Sequence, residues 1–244
     1  MLGFDTATPA VSVALHDGER VIASASALDS RRHSELLTPM IAKVLADAGV
    51  PRTDLDAVAV GVGPGPYTGL RVGVITARVL GSVLGLSVHG VCSLDIIAVA
   101  ARGGLGPPPQ AAMVAGPSPL ASAAGPGREF LVATDARRQE VYWARYDGLG
   151  RRVAGPQVGR AGSIPGAAEL AVAGAGGPLY PEAFGEVIGP AYPDAGVLCR
   201  LVAGSLAPPS SGPSPGHPPL LAADPLYLRR PDAREPGPPK RVTP

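Results

Sequence analysis

Bulky apolar and small positions alternate at period two through AVSVAL, residues 10–15, then shift to helical spacing through SELLTPMIAKVLADAG, residues 34–49. The first pattern predicts a strand with its valines on one face, and Leu2–Phe4 before it reads as another. Asp17-Gly18 is a strong hairpin dipeptide, after which RVIASASA, residues 20–27, returns as a third strand. In the second pattern Leu37, Met40, Ile41, Val44, Leu45 and Ala48 share one helical face, and Gly49 with Pro51 supplies the stop. Pro39 conflicts with an N-cap at Ser34, but suits the first helical position if Thr38 is the N-cap. DAVAVGVG, 56–63, reads as a buried strand, and LRVGVITARVLGSVLG, 70–85, as a helix apolar on most sides and therefore buried. SVHGV, 87–91, is a further strand, and SLDIIAVAA, 93–101, a helix capped by Ser93.

The periodicity stops at 103. Of the 25 residues 103–127, 18 are Gly, Pro or Ala, a composition expected of a linker or surface insertion. Order resumes in EFLVATDARRQEVYWARYDGLGRRVAG, 129–155, which mirrors the start of the chain. Asp5 and Asp135 each end a strand, Asp17-Gly18 and Asp147-Gly148 share the offset of 130, and Val11 and Val13 match Val141 and Trp143. A strand–turn–strand–turn–strand unit opens each half, pointing to a domain-sized repeat. Beyond 155 the pattern weakens: AAELAVAGAGG suggests a helix and a strand, and 191–206 contains a helix. The expected organisation is a first half at 1–102, a linker at 103–128, a smaller second half at 129–228 and a flexible tail at 229–244. APPSSGPSPGHPP, 207–219, is expected to be a disordered insertion in the second half.

Composition narrows the function classes. Lys plus Arg is 21 and Asp plus Glu 20, so no basic excess favours unaided nucleic-acid binding. Two cysteines, Cys92 and Cys199, without CxxC spacing, are read as small buried apolar residues rather than a disulfide framework. The N-terminus has no basic region typical of a signal peptide. Arg71, Arg78 and His89 interrupt the most apolar stretch, which argues against a membrane span, so a cytoplasmic protein is expected.

GPGPYTGLRVG, residues 63–73, carries the densest backbone signal. It joins a strand to a helix, where backbone N–H groups could face an anion. It is neither G-x-x-x-x-G-K-[ST] nor G-x-G-x-x-G, and residues 57–94 hold no Asp or Glu for a ribose. A structural corner and a phosphate cradle both remain open on spacing. Asp5, in FDTAT, could hold a metal or orient water near a phosphate, or could hydrogen-bond its own turn with Thr6. Of His16, His33, His89 and His217, no pair has zinc-ligand spacing, and only His33 is placed for contact.

FDTAT, RRHSELLTPMI, GVGPGPYTGLRVGVITAR, DARRQEVYWARY and PLYLRRPDA together resemble the TsaB family of tRNA threonylcarbamoyladenosine biosynthesis proteins. The resemblance spans 2–101, returns at 129–146 and touches 225–233. It implies an α/β fold of the actin-like, sugar-kinase-like (ASKHA) type with two related halves, the second reduced. It also implies a non-catalytic relative of TsaD, the subunit that transfers threonylcarbamoyl to N6 of adenosine 37 in tRNAs reading ANN codons. Where that catalytic relative carries G-V-x-H-x-x-x-H, this chain has Gly90-Val91-Cys92-Ser93-Leu94-Asp95-Ile96-Ile97. Ser93 and Ile97 replace the two metal ligands, so neither a metal nor a cofactor is expected.

The resemblance further implies pairing with TsaD through helices matching 34–48 and 70–84, with the ATPase TsaE joining and a homodimer forming when TsaD is absent. The expected interface residues are His33, Leu36, Leu37, Met40, Ile41, Val44, Arg71, Ile75 and Arg78. Asp5, Thr6, Gly63, Gly65, Tyr67, Thr68 and Gly69 would form a vestigial phosphate loop, and tRNA would be met only through the complex. Three competing readings stand beside this one. An ATP-dependent small-molecule kinase draws on Asp5, the glycine loop and the weak GAGG at 174–177. A metallopeptidase-like enzyme is opposed by the missing histidines, and an interaction module unrelated to tRNA is the third.

Overall fold

The computed structural model describes residues 1–103, 127–207 and 218–229. Strands β1 (Leu2–Asp5), β2 (Ala10–His16) and β3 (Val21–Leu28) precede helix α1 (His33–Ala48). β4 (Ala57–Gly61), α2 (Tyr67–Leu84), β5 (Ser87–Val91) and α3 (Ser93–Ala101) follow. The second sheet is built from β6 (Phe130–Asp135), β7 (Val141–Tyr146), β8 (Arg152–Gly159) and β9 (Ala171–Ala173). The short α4 (Gly176–Leu179) and then α5 (Ala195–Leu206) follow.

The first sheet has the order β3-β2-β1-β4-β5 and the second β8-β7-β6-β9, so the second repeats the first without its fifth strand. In each, the opening hairpin is antiparallel and the fourth strand lies parallel to the first. This α/β fold with two related halves, the second reduced, is the expected one. The repeat is inexact at one turn. Asp5 pairs with Ser12, but Asp135 pairs with Val141, so the second hairpin closes with one residue fewer.

The period-two pattern of β1 and β2 reflects two covers of different thickness. Leu2, Phe4, Val11, Val13 and Leu15 pack into the core under α1 and α2. The alternating small residues face α5: Ala14 packs with Ala195 and Cys199, and a Cβ on Gly3 would lie 2.3 Å from the Cys199 sulfur. Small residues on that face let the helix sit close to the sheet. Although α5 follows the second sheet in sequence, it therefore completes the first core, capped by Asp194, whose carboxylate accepts from Val197 N at 2.8 Å. α3 makes the reverse crossing, and Leu94, Ile97 and Ala98 pack with Phe130, Val132 and Tyr146 of the second sheet.

Several local expectations change. α1 begins at His33 with no side-chain cap, and Pro39 sits inside it at an exposed position rather than at its start. Proline donates no N–H to Glu35 O, and exposure there leaves that carbonyl to water. α2 begins at Tyr67, three residues before the apolar run, because Pro66 fixes the backbone that enters it. Ser93 does not cap α3: Cys92 holds that position, and the serine hydroxyl is used elsewhere. Arg229, assigned to the tail by composition, donates to Ala136 O and pairs with Glu140. Both cysteines are buried, and burial pushes each thiol up to about 12. His217, most of the expected linker and the core of the Pro/Ser-rich insertion lie outside the described residues. No described helix is long and apolar enough to cross a membrane.

Candidate functional site

The glycine loop is a sealed junction in this structure. Gly61 through Gly65 are buried. Gly63 N donates to Ser93 Oγ at 3.1 Å, and Ser93 N donates back to Gly63 O at 2.7 Å. A Cβ on Gly65 would fall 2.1 Å from Ala7 O, so only glycine lets the loop lie against the turn after β1. The loop N–H of Gly63 is thus spent inside the protein.

Asp5 sits under this loop, 1 % exposed. Its Oδ1 accepts from Ala7 N at 2.8 Å and its Oδ2 from Ser93 Oγ at 2.5 Å. Burial holds the carboxyl above its ordinary value, partly offset by those two donors and by His33. A Cβ on Gly61 would lie 1.7 Å from Asp5 Oδ2, so β4 closes the remaining side. The Thr6 hydroxyl donates to Gly69 O at 2.8 Å and accepts from Gly73 N at 3.0 Å. Those two groups are four apart and would pair in a regular helix, so the hydroxyl bridges the first turn of α2. Of the seven residues expected in a phosphate loop, Asp5, Thr6, Gly63, Gly65 and Gly69 are buried, while Tyr67 and Thr68 are exposed.

The expected partner surface divides in two. On α1, Leu37, Met40 and Val44 are core residues, and Leu36 and Ile41 are half-buried against the same core. That cluster is the inward face of α1 and presents no patch; its breadth reflects a helix lying across both β2 and β3. His33, at the start of α1, bonds Thr8 O through Nε2 at 2.8 Å.

On α2 the outcome is the opposite. Gly69, Gly73, Ala77 and Gly81 recur every fourth residue on the inward face; a Cβ at 73 would meet Thr6 Oγ1 at 2.4 Å, and one at 81 Val88 at 2.4 Å. The outward face carries Ile75, Val79 and Val83 at the same spacing, 48 %, 55 % and 75 % exposed. Arg71 heads this stripe and donates to Tyr67 OH at 2.6 Å, while Arg78 beside it pairs with Asp224 at 2.9 Å. A helix apolar on most sides is thus a surface helix with small residues inside and valines outside. The exposure of Val79 and Val83 was not expected, because all-round apolarity shows no outward face. Between the two helices runs a groove of about 460 Å³, lined by Leu37, Thr38, Tyr67, Arg71, Val72 and Ile75 among others.

Known proteins resemble this chain in sequence and in fold. The model of the family "TsaD: tRNA N6-adenosine threonylcarbamoyltransferase" matches residues 25–171. An uncharacterized protein of Mycobacterium tuberculosis is 41 % identical over 243 residues, covering 96 % of this chain and 93 % of its own length; the chain spans 56 % of a similar relative from Mycobacterium leprae. The tRNA threonylcarbamoyladenosine biosynthesis protein TsaB of Escherichia coli is 35 % identical over 146 residues, 60 % of this chain and 54 % of that one. The chain therefore matches about half the length of this curated relative. A crystal structure from Pseudomonas aeruginosa, described as similar to peptidase YEAZ, superposes with a TM-score of 0.68 at 29 % identity, covering 93 % of this chain and 98 % of that one.

Proposed function

The chain belongs to the TsaD family and is TsaB-like within it, and we propose that it is a non-catalytic subunit supporting threonylcarbamoyl transfer to N6 of adenosine 37 of tRNA. The exposed Ile75–Val79–Val83 stripe of α2 carries this reading. It is the surface on which a TsaD-type subunit docks, burying three aliphatic side chains now in water. In this reading α1 flanks the contact by its exposed side, and its apolar cluster stays in the core.

The interior near the junction supports the non-catalytic part. Ser93 and Ile97 stand at the positions where the catalytic relative has histidines. The Ser93 hydroxyl is committed to Asp5 and Gly63, and Ile97 is buried among Phe130 and Tyr146. Asp5 is buried, and its two oxygens accept from Ala7 N and Ser93 Oγ. TsaE joins the pair as the ATPase, and the same stripe allows a homodimer when TsaD is absent. The complex works in the cytoplasm, where its tRNA substrate is.

Val79→Asp tests the docking surface, because an exposed position accepts a carboxylate without unfolding the monomer. Co-purification of TsaD with the variant should fall at least about tenfold, since a desolvated charge opposes the contact. Unchanged TsaD retention by this variant and by Ile75→Asp would remove the stripe from the interface. Formation of the modified nucleoside by the isolated chain, without TsaD, would overturn the non-catalytic reading.

A further inference from the structure

The two sheets end in four edge strands, β3 and β5 on the first, β8 and β9 on the second. An edge strand presents unpaired N–H and C=O groups and invites pairing with another chain unless something blocks it. Three of the four are blocked. Gly90 of β5 exchanges both backbone hydrogen bonds with Leu221, each at 2.8 Å. Val172 of β9 donates to Glu186 O and accepts from Ile188 N, both at 2.8 Å. β8 contains Pro156, which has no N–H, and its register against β7 shifts twice.

β3 lacks such protection over most of its length. Val21–Leu28 holds neither a proline nor a charged side chain, and among the described residues nothing pairs with its outer edge. The one irregularity, opposite Leu15 and His16, lies at its start, and Ala23–Leu28 run in unbroken register with Ala10–Leu15. Near its two ends apolar side chains stand in water: Ile22 is 37 % and Leu28 66 % exposed.

Ile22-Ala23-Ser24-Ala25-Ser26-Ala27-Leu28 reads nearly the same in both directions about Ala25. A two-fold axis perpendicular to the sheet at Ala25 sets a second β3 antiparallel to the first and keeps each residue on its own face. It brings Ser24 opposite Ser26, Ala23 opposite Ala27 and Ile22 beside Leu28 of the second copy, each pairing occurring twice. The flanking turns complement each other in charge. Residues 17–20 carry Asp17, Glu19 and Arg20, net −1, and residues 29–32 carry Asp29, Arg31 and Arg32, net +1. The same axis sets each turn beside the oppositely charged turn of the other copy. α1 lies across both β2 and β3. Its two copies therefore run antiparallel about 10 Å apart, twice the strand spacing and an ordinary distance between packed helices.

We propose that two copies of this chain join edge to edge through β3, antiparallel and centred on Ala25, so that their first sheets become one continuous sheet. The contact goes beyond the subunit reading and does not rest on it. α2 lies over β4 and β5, away from this edge, so its outward stripe stays uncovered.

Cysteine pairing in the full chain carrying Val79→Asp is the experiment, because that substitution removes self-association through α2. Cys92 and Cys199 are buried and give no background. Sedimentation should show a dimer at micromolar concentration. Under mild oxidation Ala25→Cys should form an intermolecular disulfide, since opposed Cα atoms of antiparallel strands lie about 4.5–5.5 Å apart, within disulfide reach. Leu28→Cys should not, because the axis holds its two copies about 20 Å apart. Ser26→Lys, at an exposed position, should leave the far-UV circular dichroism unchanged. It should raise the dimer dissociation constant at least about tenfold, as lysine blocks a natural edge strand. The proposal is overturned if the Val79→Asp chain is monomeric, if Leu28→Cys links as readily as Ala25→Cys, or if Ser26→Lys dimerises undiminished. A monomer whose β3 edge takes up a strand of TsaD overturns it as well.

Discussion

Asp5 and Asp135 occupy the same place in the repeat, each at the end of a first strand and each accepting, through Oδ1, the backbone N–H two residues ahead at 2.8 Å. Beyond that shared turn they diverge. Asp5 is buried and closed over by Ser93, Gly61 and the glycine loop. Asp135 is only half-buried, and the chain after it runs through the left-handed Arg137–Gln139 into an open cleft. The shorter second hairpin must reverse with one residue fewer, which accounts for its unusual backbone. One inherited motif has thus become a structural rivet in one half and a solvent-facing turn in the other. A duplicated strand end therefore does not specify a duplicated function; the cover placed over it decides.

The contrast can be broken most severely at Ser93. Ser93→Ala leaves Asp5 Oδ2 and Gly63 N without their partner in a dry interior, and should lower unfolding free energy by about 3 kcal/mol, read from urea melts. A change at Asp135 has no such leverage: Asp135→Asn keeps the bond from Arg137 N and loses one partly exposed ion pair, about 1 kcal/mol or less. The difference between the two variants measures how far the halves have separated.

Acid–base behaviour sharpens the same point. The native pKa of Asp5 is raised above 3.8, so the folded state favours the protonated carboxyl. Its contribution to stability is therefore complete below that value and declines as pH rises through the native pKa. Asp5→Asn carries no charge at any pH. Its stability relative to the original chain should rise with pH from below 3.8 upward, in thermal melts at matched ionic strength. A flat difference across that range would show that the Asp5 environment is not as closed as the geometry makes it. The smallest effect belongs to the open turn. Gln139→Gly removes a left-handed L-residue at a modest entropic cost and should stabilise the chain by about 0.5–1 kcal/mol.

The strands, the repeat and the inward face of α1 were legible because period-two and helical spacing record which side meets a core. AVSVAL even encodes its two covers, valines under α1 and α2 and small residues under α5. Three things were not legible. The patch expected on α1 is core, because an amphipathic face has the same spacing whether its cover is its own sheet or a partner. Arg71 and Ile75 of the outward side of α2 were among the expected residues, but the exposure of Val79 and Val83 was not legible, because a helix apolar on most sides reads as buried all round. The Asp5–Ser93 bond joins residues 88 apart, and nothing in SLDIIAVAA marks its serine for that use rather than for a cap. Arg137 and Gln139 carry no local signal for positive φ, so the strained turn was invisible as well.

The late helix lying against the opening strands has a consequence for biosynthesis. Cys199 of α5 contacts Ala14, 185 residues earlier. At about 5–20 residues per second a ribosome needs about 10–40 s to make the intervening chain. Throughout that interval the α5-facing side of the first sheet lacks its own cover, so the N-terminal half completes its core only after α5 has been made.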